Sequence, residues 1–274
     1  MNEAVLARGF ELEPASRAAL DASARLWWIV TALGQWIFAF YIAAFFGTRL
    51  ARDGLEGLKD SHLFNGYIPG DDIGNAAVAA HVVLAIVIMT VGPLQMVPQI
   101  RERLPIVHHW MGRSYLLAAV TASIAGLYLI WMRPIFGPLS NNIATSLDGV
   151  LVIGFAAIAL RHAIARDITT HRRWALRLFM VASSVWFLRI GFRLWDFLTG
   201  GVGIDEKTFS GPFVVIWHFG QFLLPLAILE LYFRARDSVD PRARYATAGG
   251  LVVITLLMGI GIFLVAANSW LARL

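Results

Sequence analysis

Between Leu26 and the C-terminus, seven predominantly apolar stretches follow one another: roughly 26–47, 76–98, 114–133, 142–164, 174–198, 213–233 and 246–270. About 20 apolar residues at about 1.5 Å each are needed to cross a hydrocarbon core of about 30 Å. Each stretch meets that length or comes close to it. A backbone inside hydrocarbon has no water to bond to, so a chain of this pattern has to form helices whose amide bonds close within each segment. The sequence therefore predicts an all-α, polytopic transmembrane bundle of about seven spans. It comprises an N-terminal segment, 1–25, and a seven-helix transmembrane domain, 26–274. Apolar residues make up 58% of the chain and charged residues 15%, against roughly 25% charged in an ordinary soluble domain. The polar loops are too short to hold a sizeable soluble domain.

The charges orient the bundle. With the first helix starting in the cytoplasm, the segments on that side carry fifteen arginines: Arg8, Arg17, Arg25, Arg101, Arg103, Arg113, Arg161, Arg166, Arg172, Arg173, Arg177, Arg234, Arg236, Arg242 and Arg244. The other side carries six basic residues, Arg49, Arg52, Lys59, Arg133, Lys207 and Arg273. Basic loops stay inside, so the expectation is N-terminus in and C-terminus out. The same rule accounts for the net charge of +5 without nucleic acid. Residues 1–25 have no signal-peptide pattern, so the first span is expected to remain as a signal anchor; residues 3–25 suggest a short amphipathic helix on the inner surface. The absence of cysteine removes disulfides, thiolate metal sites and covalent haem attachment.

Polar residues within the spans are the informative ones, because each is costly in lipid. Arg189, Arg193 and Asp196 share one face of the fifth span at i, i+4 and i+7. They form either an internal ion pair or a positive lining for an anionic group. Of seven histidines, His62 falls in the long loop 48–75 with Asn65, and His162 at a helix end. His81 and His218 lie about five residues into the second and sixth spans, at similar depth in the outer leaflet. His108, His109 and His171 lie at the inner boundary. Two histidines from different helices at one depth can hold a b-type haem axially. His81 with His218, and His109 with His171, are the candidate pairs, with Arg189 or Arg193 for the propionates. The alternative is that these histidines are hydrogen-bonded packing residues. His81, Ile88, Gly92, Gln95 and Gln99 form a stripe on the second span. Gly92-Pro93 there is either a cavity-lining break or a kink that permits close packing. Gly249, Gly250, Gly259 and Gly261 in the last span read as helix packing or dimerisation. The loops 48–75 and 199–212 are each candidates to cap the outer mouth. No phosphate-binding glycine loop, HExxH or Gly-x-Ser-x-Gly is present, and no metal site is expected beyond a haem iron.

The run from His81 through Gly92-Pro93-Leu94-Gln95, Arg101, Arg103, His109, Gly112-Arg113 and Tyr115 resembles the bacterial membrane family called domain of unknown function 2306. So do His171-Arg172-x-Trp174, Arg177, Arg189, Trp217 and Glu230. The likeness covers about residues 76–232. It implies a multi-pass protein of the bacterial inner membrane with shared polar positions at His81, Gln95, His109, Arg113, His171, Arg177 and Arg189. His218 has no histidine counterpart in that resemblance, which favours His109 with His171 as the couple. A looser, architectural likeness is to transmembrane di-haem cytochromes.

Three functional readings follow. The first is a haem b electron-transfer protein, exchanging electrons with a quinone or small reductant. The second is a non-redox accessory or assembly subunit of a larger membrane complex, or a small-molecule carrier. The third is an intramembrane hydrolase or metal enzyme, for which Asp148 and Asp196 are the only carboxylates at hand.

Overall fold

The computed structural model describes residues 3–59, 66–133 and 137–274, with side chains from residue 13 onward. His62 and Asn65 lie outside the described residues. Nine α-helices and no strand are found among those that are described: α1 Glu3–Asp53, α2 Asp72–Gln95, α3 Pro98–Arg103, α4 Pro105–Met132, α5 Leu139–Ile164, α6 Ile168–Ala182, α7 Ser184–Thr199, α8 Pro212–Asp237 and α9 Pro241–Val265. Six of them are long and apolar enough to cross a membrane, and α6 with α7 makes a seventh, bent span. The heaviest packing joins α2 to α4, α1 to α9 and α5 to α6.

Three features depart from the simple pattern. Residues 3–25 are not a separate surface helix but run unbroken into the first span as one helix of 51 residues. Leu20 is buried against Ala235, Ala248 and Leu251 of α8 and α9, so α1 around Leu20 is held by packing on other helices. The stretch 174–198 is broken at Ser183, where α6 and α7 bend by 52°. Apolar periodicity cannot reveal that break; two polar contacts hold it. Gln35 of α1 donates to Ser183 Oγ at 2.9 Å, and Ser184 Oγ–H donates to Asp148 of α5. Finally, α4 begins at Pro105, about two turns before its apolar run, since proline at the first helical position loses no bond.

Gly92-Pro93 does not break α2, which continues to Gln95. A Cβ at Gly92 would come within 2.9 Å of Tyr115 and 3.1 Å of Phe179, so the glycine serves close packing of α2 on α4 and α6. Gly191 does the same for α7 and α8. The indole of Trp217 lies directly on it, with Nε1–H donating to Leu188 O at 3.0 Å. In α9, Gly249 and Gly250 face open space, whereas Gly261 meets Ile190.

At the end away from the arginine-rich loops, a buried cation ties α4 to α2. Arg133 follows α4, its side chain 2% exposed. It donates to Asp71 Oδ2 at 3.0 Å through Nε and to Asn75 Oδ1 at 2.7 Å. Asp71 caps α2 by accepting from Gly74 N at 2.9 Å. The Gly74 amide, and then Arg133, hold the Asp71 carboxyl below its usual range.

Two predictions follow from this packing. Gly191→Ala, which drives a methyl into Trp217, is expected to destabilise the protein by about 1–3 kcal/mol, whereas Gly249→Ala, inside α9 with open space around it, leaves stability unchanged or raises it by up to about 1 kcal/mol; thermal unfolding in nanodiscs compares them. A carboxyl with a depressed folded-state pKa stabilises above its unfolded pKa and loses that contribution as pH falls through the folded value. The melting-temperature gap between the native protein and Asp71→Asn is therefore widest at neutral pH and closes as pH drops below the ordinary carboxylate range.

Candidate functional site

Several of the polar side chains that the spans bury meet at one cavity of about 620 Å³, walled by α1, α2, α4, α5, the break between α6 and α7, and α8. That volume is within the range of small-molecule and cofactor sites. His81, Ser123, Asn141, Thr145, Asp148, Ser184, Arg189, His218 and Gln221 are its polar lining. Phe209 reaches it from the loop 199–212, so that loop closes part of the wall. Phe209 takes a left-handed backbone with φ of 48°, sparsely populated by aromatic residues. Its ring rests against Phe192 and His218.

Each histidine of the cavity is oriented by one ring nitrogen. His81 Nδ1–H donates to Ala122 O of α4 at 2.9 Å. The ring lies 3.4 Å from where a Cβ on Gly126 would stand. His218 Nδ1–H donates to Val214 O, one turn back on α8, at 2.8 Å, and its ring is flanked by Phe192 and Phe209. Tying Nδ1 to a carbonyl fixes the tautomer that carries its lone pair on Nε2, the form that binds metals or accepts a proton.

Arg189 is the cavity's cation. It donates to Val185 O at 2.9 Å and lies over the Phe38 ring at 5.1 Å, and no carboxylate among the described residues pairs with it. Arg193 and Asp196 do not line the cavity. They pair at 3.5 Å, and Arg193 also donates to Ser269 Oγ at 3.0 Å.

Three buried acceptors of the cavity wall have no hydrogen-bond partner among the described residues: Asn141 Oδ1, Asp148 Oδ1 and Gln221 Oε1. Asn141 and Asp148 sit at i and i+7 on α5. Neither Asn141 nor Gln221 was singled out from sequence, because amides inside apolar stretches look like incidental polar residues. The spacing of Asn141, Thr145 and Asp148, one helix face at i, i+4 and i+7, is the signal that marks the set.

The remaining candidates lie at the arginine-rich end. His109 is exposed, its ring 6.1 Å from that of His108 and tilted 54° to it. His171 donates through Nδ1 to Ala159 O of α5 at 2.9 Å. Neither His109 nor His171 lines this cavity or the larger groove. Gln95 Nε2 donates to His108 O at 3.2 Å, joining α2 to α4. Arg113 is exposed and lies over Trp110 at 5.0 Å. Arg177 grips Glu230 of α8 with two bonds of 2.6 and 3.0 Å, its guanidinium over Trp174 and Phe233. Among the described residues, no group of three or more His, Cys, Asp or Glu is arranged to hold a metal ion by itself. The larger groove, about 990 Å³, is mainly apolar and runs between α1, α7, α8 and α9.

No curated protein and no solved structure matches the chain. Residues 78–220 match the family described as predicted membrane protein, domain of unknown function 2306. The matched span begins in the first turns of α2 and ends in α8, so it takes in the cavity walls other than α1 and all but one of the polar side chains above, Gln221 being the next residue.

Proposed function

We propose, since the chain belongs to the membrane family domain of unknown function 2306, that it is an inner-membrane redox protein whose cavity holds one b-type haem between His81 and His218. The observation that carries this reading is that two histidines from different helices, α2 and α8, line one cavity, each with Nδ1 committed to a carbonyl. That is how axial ligands are oriented. Arg189, a cation on the same wall that no carboxylate among the described residues pairs, is suited to the propionates. A haem there would supply one-electron chemistry; the chain's own part is to hold the two rings and offer the guanidinium. Phe192 and Phe209 shield the His218 ring. The apolar groove between α1, α7, α8 and α9 supports a quinone as partner, since an isoprenoid tail needs such a surface. On this reading His109 and His171 are basic-surface residues and carry no second haem.

A second reading draws on a separate observation. Asn141 Oδ1, Asp148 Oδ1 and Gln221 Oε1 call for hydrogen-bond donors, which a propionate does not offer. A small-molecule carrier whose solute donates hydrogen bonds fits them.

The visible spectrum separates the two. Protein purified in detergent from haem-replete cells is expected to show a Soret band that sharpens on reduction. His81→Ala and His218→Ala abolish it or shift it to a five-coordinate form, while His109→Ala and His171→Ala leave it in place. Folded, colourless protein overturns the haem reading, and solute uptake by sealed vesicles then supports the carrier.

A further inference from the structure

A buried polar atom without a partner costs about 1–3 kcal/mol, and the polar, roomy cavity has three of them on its wall. Water is the general remedy where a site is polar and large enough. On α5 the polar residues form a file. Asn141 stands two residues from the helix start, Thr145 one turn deeper and Asp148 nearly one turn deeper again. At about 1.5 Å per residue, the file runs about 10 Å and reaches about 14 Å into the helix. Gln221, nine residues into α8, faces the same cavity at the same distance from its own helix start.

The file ends on Asp148, 6% exposed. One carboxyl oxygen accepts from Ser184 Oγ–H at the break between α6 and α7, and Oδ1 has no partner among the described residues. A carboxylate in so dry a place with a single donor is poorly compensated. Either a proton or a water hydrogen has to stand at Oδ1. We propose that Asp148 is a proton-exchange site inside the bundle, reached from the α5 N-terminal end along water held by Asn141, Thr145 and Gln221. The step is a simple transfer: Oδ1 takes a proton from a protonated water of the file, leaving neutral water, and returns it by the same path.

The ionisable groups that share the cavity with Asp148 are His81 from α2, Arg189 from α7 and His218 from α8. α4 contributes no charged side chain to this wall, and α1 and α6 only apolar ones. The α6 residue His171 meets α5 at Ala159, about three turns beyond Asp148. The proposal shares the cavity of the haem reading but does not rest on it, because the signal is read from the carboxyl group itself.

Infrared difference spectra of the full chain in lipid nanodiscs, in light and heavy water, test it. The native protein is expected to show a protonated-carboxyl band that moves on deuteration, is absent in Asp148→Asn and persists in Asp196→Asn. Ser184→Ala keeps the carboxyl and shifts the band to higher frequency, so the assignment stands even where Asp148→Asn fails to fold. Asn141→Leu slows the deuterium shift about tenfold, the rate equivalent of one lost hydrogen bond. A band that survives Asp148→Asn, a band unmoved by Ser184→Ala, or no deuterium-sensitive carboxyl band in the native protein overturns the proposal. An exchange rate unchanged in Asn141→Leu overturns the route.

Discussion

A polar atom in the interior of a bilayer has no water to fall back on, so its bonds have to be found within the protein. The spans of this chain follow that constraint closely. Indoles at Trp28, Trp186 and Trp217 spend their single donor on backbone carbonyls of neighbouring helices, Pro93, Gly34 and Leu188. Gln35 closes on Ser183, Arg193 on Ser269 and Arg177 on Glu230. These bonds fix which helix lies beside which, because apolar contacts alone do not distinguish a helix from surrounding lipid. Among the described residues the accounting stays open at isolated atoms elsewhere, Gln35 Oε1, His108 Nδ1, Tyr115 OH, Ser140 Oγ and Arg244 Nε. The cavity differs in gathering three unmet acceptors, on Asn141, Asp148 and Gln221, beside two oriented histidines and an arginine that no described carboxylate pairs.

The break between α6 and α7 shapes one wall of that cavity. A straight helix over 174–198 would carry Ser183 and Ser184 past their neighbours as two more helix-interior residues. Bent by 52°, the chain offers Ser183 to α1 and Ser184 to α5, and sets Arg189 on the same cavity wall as His81. The packing around it is tight: Trp186 and Phe222 are fully buried, and Gly191 exists as glycine because the Trp217 indole occupies the place of its side chain. A cofactor or solute in this cavity is therefore held by groups whose positions are set by rigid helices rather than by loops, Phe209 being the exception.

The helices were legible from sequence because span length is a solvent requirement, and so was the pairing of Arg193 with Asp196, which is local along one helix. The continuity of α1 was not. Leu20, Ser16 and Ser23 look like one face of a surface helix until α8 and α9 are placed against them. The break at Ser183 was not legible either, since two serines in an apolar run carry no helix-ending signal. At the site, His81 and His218 could be picked out as histidines inside two different spans, and Arg189 by the cost of burying it. Which of the histidine pairs shares a cavity depends on how six spans close around it. The part played by Asn141 and Gln221 depends on whether their amides find partners, and composition does not record that.

The central claim is that a water-accessible polar cavity lies inside the lipid-embedded bundle, and the chain's lack of cysteine makes it directly testable. Single cysteines at Thr145, on the cavity wall, and at Leu147, half a turn away and 43% exposed on the outer face, stand at nearly one depth. In sealed membranes, a small water-soluble thiol reagent is expected to modify Thr145→Cys and to leave Leu147→Cys unreacted. Equal reactivity at the two positions, or labelling of Leu147→Cys alone, would contradict the account.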